Sequence, residues 1–376
     1  MENNNNKNFH TFYQQYPIQR LDIRENTEST SRREDWVNWG QGGMNDYPQF
    51  VLELKEMSPT LSVCIDAKSN MSIGDGVELE GMGNVMVNKF ESLTELYYKL
   101  VMDAWLFGGW AIECIPNREN TAIESIYHLP FQYVRAEKKG EDEHSREIDW
   151  FYYSEEWDSP KKDKKITKFH TLDPSIREAR QIYYWTNYQP SNNKIYPVLP
   201  WQSASDAVAL EAEIWEFHKK NLASSLLPNL HISLIGSPTP TEREEIYSEL
   251  ISSYQGKDGA KLMVSFSDSP EERPVIETIS NDANSSIYLD VLTLVQQNIL
   301  TANQISSPLL LGVNVGLSNG FSSNADEIIV AQRHMIQFVI EPFIRKMNIG
   351  VENVLSLKYN QPVKIINKFN QFNIQQ

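Results

Sequence analysis

Apolar residues recur every three or four positions in several stretches of the sequence, a spacing that places them on one face of an α-helix. Proline and glycine limit these stretches, because proline interrupts helical hydrogen bonds and glycine readily ends a helix. Five amphipathic helices are predicted: 49–71, broken at Pro59; 88–107, ended by Gly108; 206–226, with Ser205 as N-cap; 284–303; and 324–347, kinked near Phe338 by Pro342.

A β-rich region separates the second and third of these helices. Short runs of aromatic and β-branched residues alternate there with polar loops, which is typical of strands. The predicted strands are Trp110–Ile115, Ile123–Leu129, Gln132–Ala136, Asp149–Tyr153, Lys165–Thr171 and Gln181–Trp185. Near the C-terminus, Leu355–Tyr359 and Val363–Phe369 also have the composition of strands.

Two further segments interrupt the helical part of the chain. Residues 229–280 predict a small insert of strand, helix, strand and strand. Residues 305–323 carry three glycines and several amide or hydroxyl side chains, and no periodic pattern. A loop of this length without regular structure is usually functional or disordered.

The buried side chains are predicted from the helical faces and from the tryptophans. The face of 88–107 includes Phe90, and the face of 206–226 consists of Leu210, Ile214, Phe217 and Leu222. Five tryptophans occupy positions where core residues are expected: Trp36, Trp105, Trp110, Trp185 and Trp215.

Composition narrows the class of protein. The 376 residues suffice for two or three structural units, and 34 basic against 50 acidic residues give a net charge of −16. This acidity argues against a general nucleic-acid binder, which carries a basic excess. Two cysteines are too few for a disulfide framework and indicate a reducing compartment. A disulfide bond between the two is the alternative. The polar N-terminus is not a signal peptide, and no stretch is long and apolar enough for a membrane span.

The search for catalytic chemistry is largely negative. The sequence has no phosphate-binding loop, no histidine pair at metal-ligand spacing and no nucleophile elbow, so no enzyme, metal or cofactor is predicted. Glu155, Glu156 and Asp158, with aromatic residues nearby, leave a carbohydrate-active hydrolase as an alternative. A polar tip at 154–165 is expected to be exposed.

The order of elements in 197–347 resembles that of tailed-bacteriophage portal proteins, the head-to-tail connector family. The resemblance rests on Tyr196–Ala204, on the long helix ending before Pro228, on Gly259–Val264, and on Ser307–Gly312 followed by a Ser/Asn-rich linker. A helix bearing Ile340-Glu341-Pro342 comes next, and the motifs Asn45–Pro48 and Gly74–Gly76 extend the similarity upstream.

The resemblance implies an α+β portal fold with a reduced or absent crown. Its parts would be a weakly ordered arm at 1–33, a β-rich wing at 34–204, a first stem helix at 205–228, a small α/β clip at 229–280, a second stem helix at 281–304, a tunnel loop at 305–323, a kinked channel helix at 324–347 and C-terminal strands or a crown remnant at 348–376.

A portal implies a passive channel. Its expected partners are a ring of about twelve copies, double-stranded DNA in transit, the terminase large subunit, the major capsid protein, scaffold and a head–tail adaptor, without a membrane. The expected location is the virion, with the host cytoplasm during assembly. Another virion ring protein, such as an adaptor, is the remaining alternative.

Three groups of residues are candidates for that role. Neutral hydrogen-bonding side chains of the loop can touch phosphates and release them: Asn314, Ser318, Asn319 and Ser322. Mostly acidic residues of the first stem helix would keep DNA off the wall if they face a lumen: Glu211, Glu213, Glu216, Lys219 and Lys220. Glu242, Glu244 and Glu245 offer an acidic clip surface for partner docking.

Overall fold

The structure is a computed structural model. It describes residues 24–139, 147–157, 165–175, 180–224, 230–236, 238–254, 262–267, 282–312 and 325–369. Its internal contacts divide the chain into a smaller unit, 1–22 with 213–279, and a larger unit, 23–212 with 280–376. Helices and sheets occur together, so the predicted α+β class is confirmed.

Three helices open the larger unit: α1 Tyr47–Met57, α2 Pro59–Ile73 and α3 Leu93–Phe107. The predicted break at Pro59 is confirmed, because Ser58 ends α1 and caps α2 by accepting a hydrogen bond from the Leu61 amide. The predicted start of α3 at residue 88 is wrong. Ser92 and Glu95 form a capping box that starts the helix later, and it leaves Phe90 outside the helix and 78% exposed.

Gly108 ends α3 as predicted and directs the chain into the sheet. Its φ of +83° is left-handed, and a side chain there would lie 2.5 Å from the Val198 carbonyl oxygen. Among the described residues, six strands form this sheet in the order β5-β4-β9-β8-β7-β6. They are β4 Gly109–Pro116, β5 Ile123–Leu129, β6 Val134–Ala136, β7 Trp150–Tyr153, β8 Thr167–Thr171 and β9 Gln181–Thr186.

The strand predictions are confirmed to within two residues at most ends, and β8 and β9 pair in parallel while the other neighbours are antiparallel. Gly109, at the start of β4, lies so close to Phe131 that an added Cβ would be 2.5 Å from the ring.

The predicted exposed tip at 154–165 is wrong at Trp157, which is buried against Trp36 with the ring centroids 5.2 Å apart. Residues 158–164 lie outside the described residues.

The last part of the predicted arm, 1–33, contains regular structure. β1 Glu28–Thr30 pairs antiparallel with β2 Val37–Trp39. The Glu28 carboxylate accepts backbone N–H bonds from Lys194, Ile195 and Tyr196. Residues 24–33 are therefore part of the larger unit.

Helix α4, Ser205–Ser224, begins in the larger unit and ends in the smaller one. Ser205 is helical rather than an N-cap, because a 3₁₀ turn at Gln202–Ala204 precedes it and the Ser205 hydroxyl donates to the Gln202 carbonyl. The predicted apolar stripe is also wrong in part: Leu210 is 39% exposed, and the buried face carries Val208, Ala209 and Ala212 instead. Trp215, a predicted core residue, is 47% exposed.

The smaller unit contains a β–α–β arrangement: β10 Leu230–Ile235, α5 Pro240–Tyr254 and β11 Leu262–Ser267. β10 and β11 pair in parallel over six residue pairs, and α5 is the crossover between them. These three elements match the predicted insert, and the predicted fourth element, Val275–Ile279, lies outside the described residues.

The C-terminal part of the larger unit is helical. α6 spans Asp282–Ala302, and a later helix comprises α7 Ala325–Met335, a π-helical segment Ile336–Ile340 and α8 Glu341–Tyr359. The π-helical segment lies where the sequence predicts a kink, because Pro342 cannot donate to the carbonyl of Phe338. The helix continues past Met347, so the predicted strand at Leu355–Tyr359 is wrong.

The final strand, β12 Ile365–Asn367, falls within the predicted strand Val363–Phe369 and pairs antiparallel with β3 Val77–Leu79. Aromatic residues join α8 to α3 and to the sheet. Trp105 of α3 stacks on Phe343 with centroids 3.8 Å apart, and Gly350 lets the buried Trp110 of β4 approach the helix.

Candidate functional site

The base of the predicted tunnel loop is held between α6 and α7. Beyond the end of α6, Gln304 adopts a left-handed backbone at φ +57°, and the Ile305 amide donates to the Leu300 carbonyl at 3.0 Å. Ser307 then caps a short 3₁₀ helix, Pro308–Leu311, whose Leu309 is buried. The first part of 305–323 is therefore structured, in contrast to the predicted loop without regular structure.

Two side-chain contacts connect this base to α7. The hydroxyl of Ser306 lies 2.8 Å from Nδ1 of His334, and the hydroxyl of Ser307 donates to the Glu327 carboxylate at 3.4 Å. Both contacts hold residues 306 and 307 against α7. The four predicted DNA-contacting residues, Asn314, Ser318, Asn319 and Ser322, lie outside the described residues, and so does Ser323.

Glu211, predicted to line a channel, is fully buried in the larger unit. Its carboxylate accepts hydrogen bonds from the hydroxyls of Ser58 and Thr60, the latter at 2.6 Å. Buried carboxylates require such donors, because desolvation of an unpaired charge is costly. Glu211 thus joins α4 to the start of α2, and its carboxylate does not face a lumen.

The other stem candidates lie farther along α4, in the smaller unit. Glu213 and Glu216 are half-buried and Lys219 is exposed. Lys220 belongs to the helix, but its side chain is outside the described part of the chain. Their role in a channel stays a prediction.

The acidic face of α5 is exposed, as its proposed docking role requires. Glu242, Glu244 and Glu245 are all accessible. Glu242 also caps the helix, since its carboxylate accepts from the amide and the hydroxyl of Thr239, both at 2.8 Å. These hydrogen bonds lower the pKa of Glu242. Its charge therefore stabilises the start of α5 and is not available for docking alone.

Two helices of the larger unit carry exposed apolar side chains that the sequence analysis did not single out. On α7 and the π-helical segment, Val330 and Phe338 are 66% and 61% exposed, and Leu294 of α6 is 58% exposed. Val330, His334 and Phe338 recur every four residues, so they share one helical face. The sequence contains this four-residue spacing. The spacing alone does not show which of several apolar positions stay exposed in the fold.

The alternative hydrolase site is not assembled in the described residues. Glu155 and Glu156 are exposed, Tyr153 donates to Glu155 at 3.1 Å, and Asp158 lies outside the described residues. Within the described ranges, no cluster of three or more His, Cys, Asp or Glu side chains is arranged for a metal ion. The described helices also include none with the length and hydropathy that a membrane span requires.

Comparison with solved structures identifies the fold. The chain is similar to a chain in the neck of an empty gene transfer agent particle with C6 symmetry, at TM-score 0.57, 14% identity and coverage of 88% of this chain and 86% of the other. A chain in the neck of the native particle with C12 symmetry gives TM-score 0.55 and 13% identity, covering 87% and 86%. An HK97-family phage portal protein from Corynebacterium diphtheriae gives 0.47 and 11% identity, covering 83% and 93%.

The two similarities to particle-neck chains extend over most of the chain, and they confirm the portal-like resemblance read from the sequence at the level of the fold. No protein-family model and no curated protein sequence matches the chain.

Proposed function

We propose that this chain is a portal-type subunit of a tailed phage or phage-like particle, and that copies of it form a ring through which double-stranded DNA passes. One observation carries the proposal: the fold matches chains of particle necks over 88% of this chain and 86% of theirs. A match of that extent includes both units rather than one shared motif. The same comparison supports a non-enzymatic role.

The exposed apolar residues of α6, α7 and the π-helical segment support assembly. Large apolar side chains on a monomer surface usually mark a contact with another molecule when they recur on one face. A ring places the same face of each copy against a different face of the next, which is a heterologous contact that closes. Leu294, Val330 and Phe338 are the residues we assign to this contact.

The net charge of the chain supports a channel wall along which DNA slides, rather than a wall that binds DNA tightly. Twelve copies at −16 carry a formal charge near −190. A basic wall would bind phosphates tightly and resist sliding, whereas an acidic wall with a few neutral donors would not. Asn314, Ser318, Asn319 and Ser322 remain our candidates for transient phosphate contact, with Glu213, Glu216, Lys219 and Lys220 along the stem.

The remaining partners follow from the same proposal. The exposed face of α5, with Glu244 and Glu245, would dock the terminase large subunit during packaging and a head–tail adaptor afterwards. The major capsid protein and scaffold would contact the ring at one vertex. The chain would be found in the virion, and in the host cytoplasm during assembly.

Native mass measurement with negative-stain imaging tests the proposal. Twelve chains of 43.4 kDa come to about 520 kDa, and the images should show a ring with a central hole. A stable monomer at high concentration, without a pore in any assembled form, would contradict the proposal. A small particle with a cleft would instead favour the hydrolase alternative.

A further inference from the structure

A cavity of about 210 Å³ lies in the larger unit, where α2, α3, the end of α6 and the start of α8 meet. Lys68 of α2 lines this cavity and is only 2% exposed. The polar residues that line the cavity are Lys68, Asn187, Gln189, Asn303, Gln304 and Lys346. Trp105, Phe343 and other apolar residues complete the wall.

The Lys68 ammonium is only partly satisfied by the described residues. Its Nζ donates to Oδ1 of Asn303 at 2.6 Å and lies 4.6 Å from the centre of the Trp105 ring. The amide of Asn303 is itself oriented, because its Nδ2 donates to the Ile299 carbonyl at 2.9 Å. An ammonium has three N–H donors, and one hydrogen bond and one ring face leave further donor capacity toward the cavity.

The charged side chains that line the cavity are positive, whereas the chain as a whole is negative. Although the protein carries −16, the described residues around the cavity include two lysines and four carboxamides but no Asp or Glu. Burying an ammonium without a counter-charge is costly, and proteins usually avoid it by pairing the group. Lys346 is exposed, which places the second positive charge at the solvent side.

Two backbone irregularities lie in the wall of the same cavity. Gln304 holds a left-handed φ of +57°, a conformation that is strained for residues other than glycine. Val339 belongs to the π-helical segment, an arrangement that is frequent at functional sites. Both irregularities bring side chains of different elements to one place, together with the buried lysine.

We propose that this cavity binds a small oxyanion, of the class of inorganic phosphate, between the ammonium groups of Lys68 and Lys346. Asn187, Gln189 and Gln304 supply N–H donors to its oxygens, and the apolar wall raises the strength of these hydrogen bonds by excluding water. A cation is excluded by two like charges, and an uncharged ligand leaves the buried ammonium without a counter-charge. The inference does not depend on ring formation.

Equilibrium dialysis of the full chain with radiolabelled inorganic phosphate, at constant ionic strength in chloride, tests the proposal. Saturable binding of one phosphate per chain is expected in the millimolar range or tighter. Lys68→Met keeps a long apolar side chain against Trp105 and should lower the association constant at least tenfold. Lys346→Met should lower it severalfold, because its ammonium is more exposed.

Lys358→Met is the matched control, since Lys358 is also on α8 but donates to the Glu124 carbonyl, away from the cavity. It should bind phosphate as the wild type does. Absence of saturable binding by the wild-type chain overturns the proposal, and so does equal binding by the wild type and both cavity variants. If Lys68→Met does not fold, unchanged binding by Lys346→Met also overturns the arrangement proposed here.

Discussion

Glu211 shows that a charged residue can be part of the core when its neighbours supply donors. Its carboxylate is fully buried and is held by the hydroxyls of Ser58 and Thr60, while Ser58 also caps α2. A single carboxylate therefore fixes the start of one helix against the side of another. The sequence analysis predicts Glu211 on a channel wall. It cannot reveal the burial, because the hydrogen-bond partners of Glu211 lie about 150 residues away in the chain.

We expect Glu211→Ala to destabilise the larger unit by about 2–4 kcal/mol, because it leaves the buried Ser58 hydroxyl and the half-buried Thr60 hydroxyl without their acceptor and creates a small cavity. Glu211→Gln, which keeps the shape and one acceptor, should cost less. Thermal unfolding of the purified variants measures both. Glu244→Ala is the control for loss of one negative charge at an exposed position, and it should change stability by less than about 0.5 kcal/mol. Equal stability of Glu211→Ala and wild type would contradict the structural role.

Lys68 makes the stability of the larger unit depend on pH in the alkaline range. Burial lowers the pKa of Lys68 from 10.5 to about 8 in the folded chain. Between pH 8 and 10.5 the unfolded chain holds a proton that the folded chain has released, so stability rises with pH across this window. Relative to Lys68→Met, the wild type should gain up to about 3 kcal/mol by pH 10.5.

The difference between the two proteins is the quantity to measure, by thermal unfolding at pH 7 to 10. Buried tyrosines such as Tyr97 have raised pKa values and destabilise the fold above pH 10, but they do so equally in both proteins. Parallel pH profiles would show that Lys68 is not the group responsible.

At the scale of elements, sequence patterns predict a helix or strand well where one face is buried and both ends carry a stop signal. α2 and α3 end where Gly74 and Gly108 follow them, and β5 is predicted residue for residue. Leu355–Tyr359 is predicted as a strand because its apolar and polar residues alternate, which is the period of a half-buried strand. Packing against the sheet decides in favour of a helix there, which no local pattern contains.

Gly350 is the point at which α8 packs against the sheet, and it gives a test of that packing. A Cβ on Gly350 would lie 2.9 Å from Cζ2 of Trp110 and 3.1 Å from Cδ1 of Trp185. Gly350→Ala should therefore destabilise the fold by about 1–3 kcal/mol, although alanine is the better helix former by roughly 1 kcal/mol. Ile349→Ala, one residue away and 60% exposed, is the control and should have little effect on the melting temperature. A stabilised Gly350→Ala protein would mean that the helix is not held this closely.

The loop between α6 and α7 is the element whose function is proposed rather than described. Shortening 314–320 should leave ring assembly unchanged, because its base is fixed independently by Ser306 and Ser307. DNA packaging or retention should fall, since the neutral donors of the loop are removed. Counting DNA-filled particles in a complementation assay measures this. Normal DNA-filled heads would count against the proposed role of the loop.

At the scale of the whole molecule, the order of elements was the most informative feature of the sequence. The β-rich region, long helix, small insert, second long helix and final helix all occur in the predicted succession. Individual contacts could not be predicted, because they join residues far apart in the chain, as Lys68 and Asn303 do. The site residues of the loop are still predictions for the same reason: sequence indicates their chemistry, not their surroundings.

Assembly should depend on the exposed apolar residues of α6, α7 and the π-helical segment. We expect Leu294→Glu, Val330→Glu and Phe338→Glu each to weaken the ring, because each places a charge in a contact that excludes water. Native mass measurement should then show a shift from about 520 kDa toward smaller species. Phe90→Glu changes an even more exposed phenylalanine, outside these helices, and should leave the ring intact. If all four variants form the ring as the wild type does, Leu294, Val330 and Phe338 are not part of the contact between copies.

The bonds between Glu28 and the amides of residues 194–196 also have a consequence for synthesis on the ribosome. The first strand of the larger unit finds these partners only 166 to 168 residues later in the chain. At roughly 5–20 residues per second, about ten to thirty seconds pass between the emergence of the two segments. Throughout this interval the Glu28 carboxylate lacks these backbone donors, so β1 can pair with β2 soon after synthesis but is joined to residues 194–196 only later.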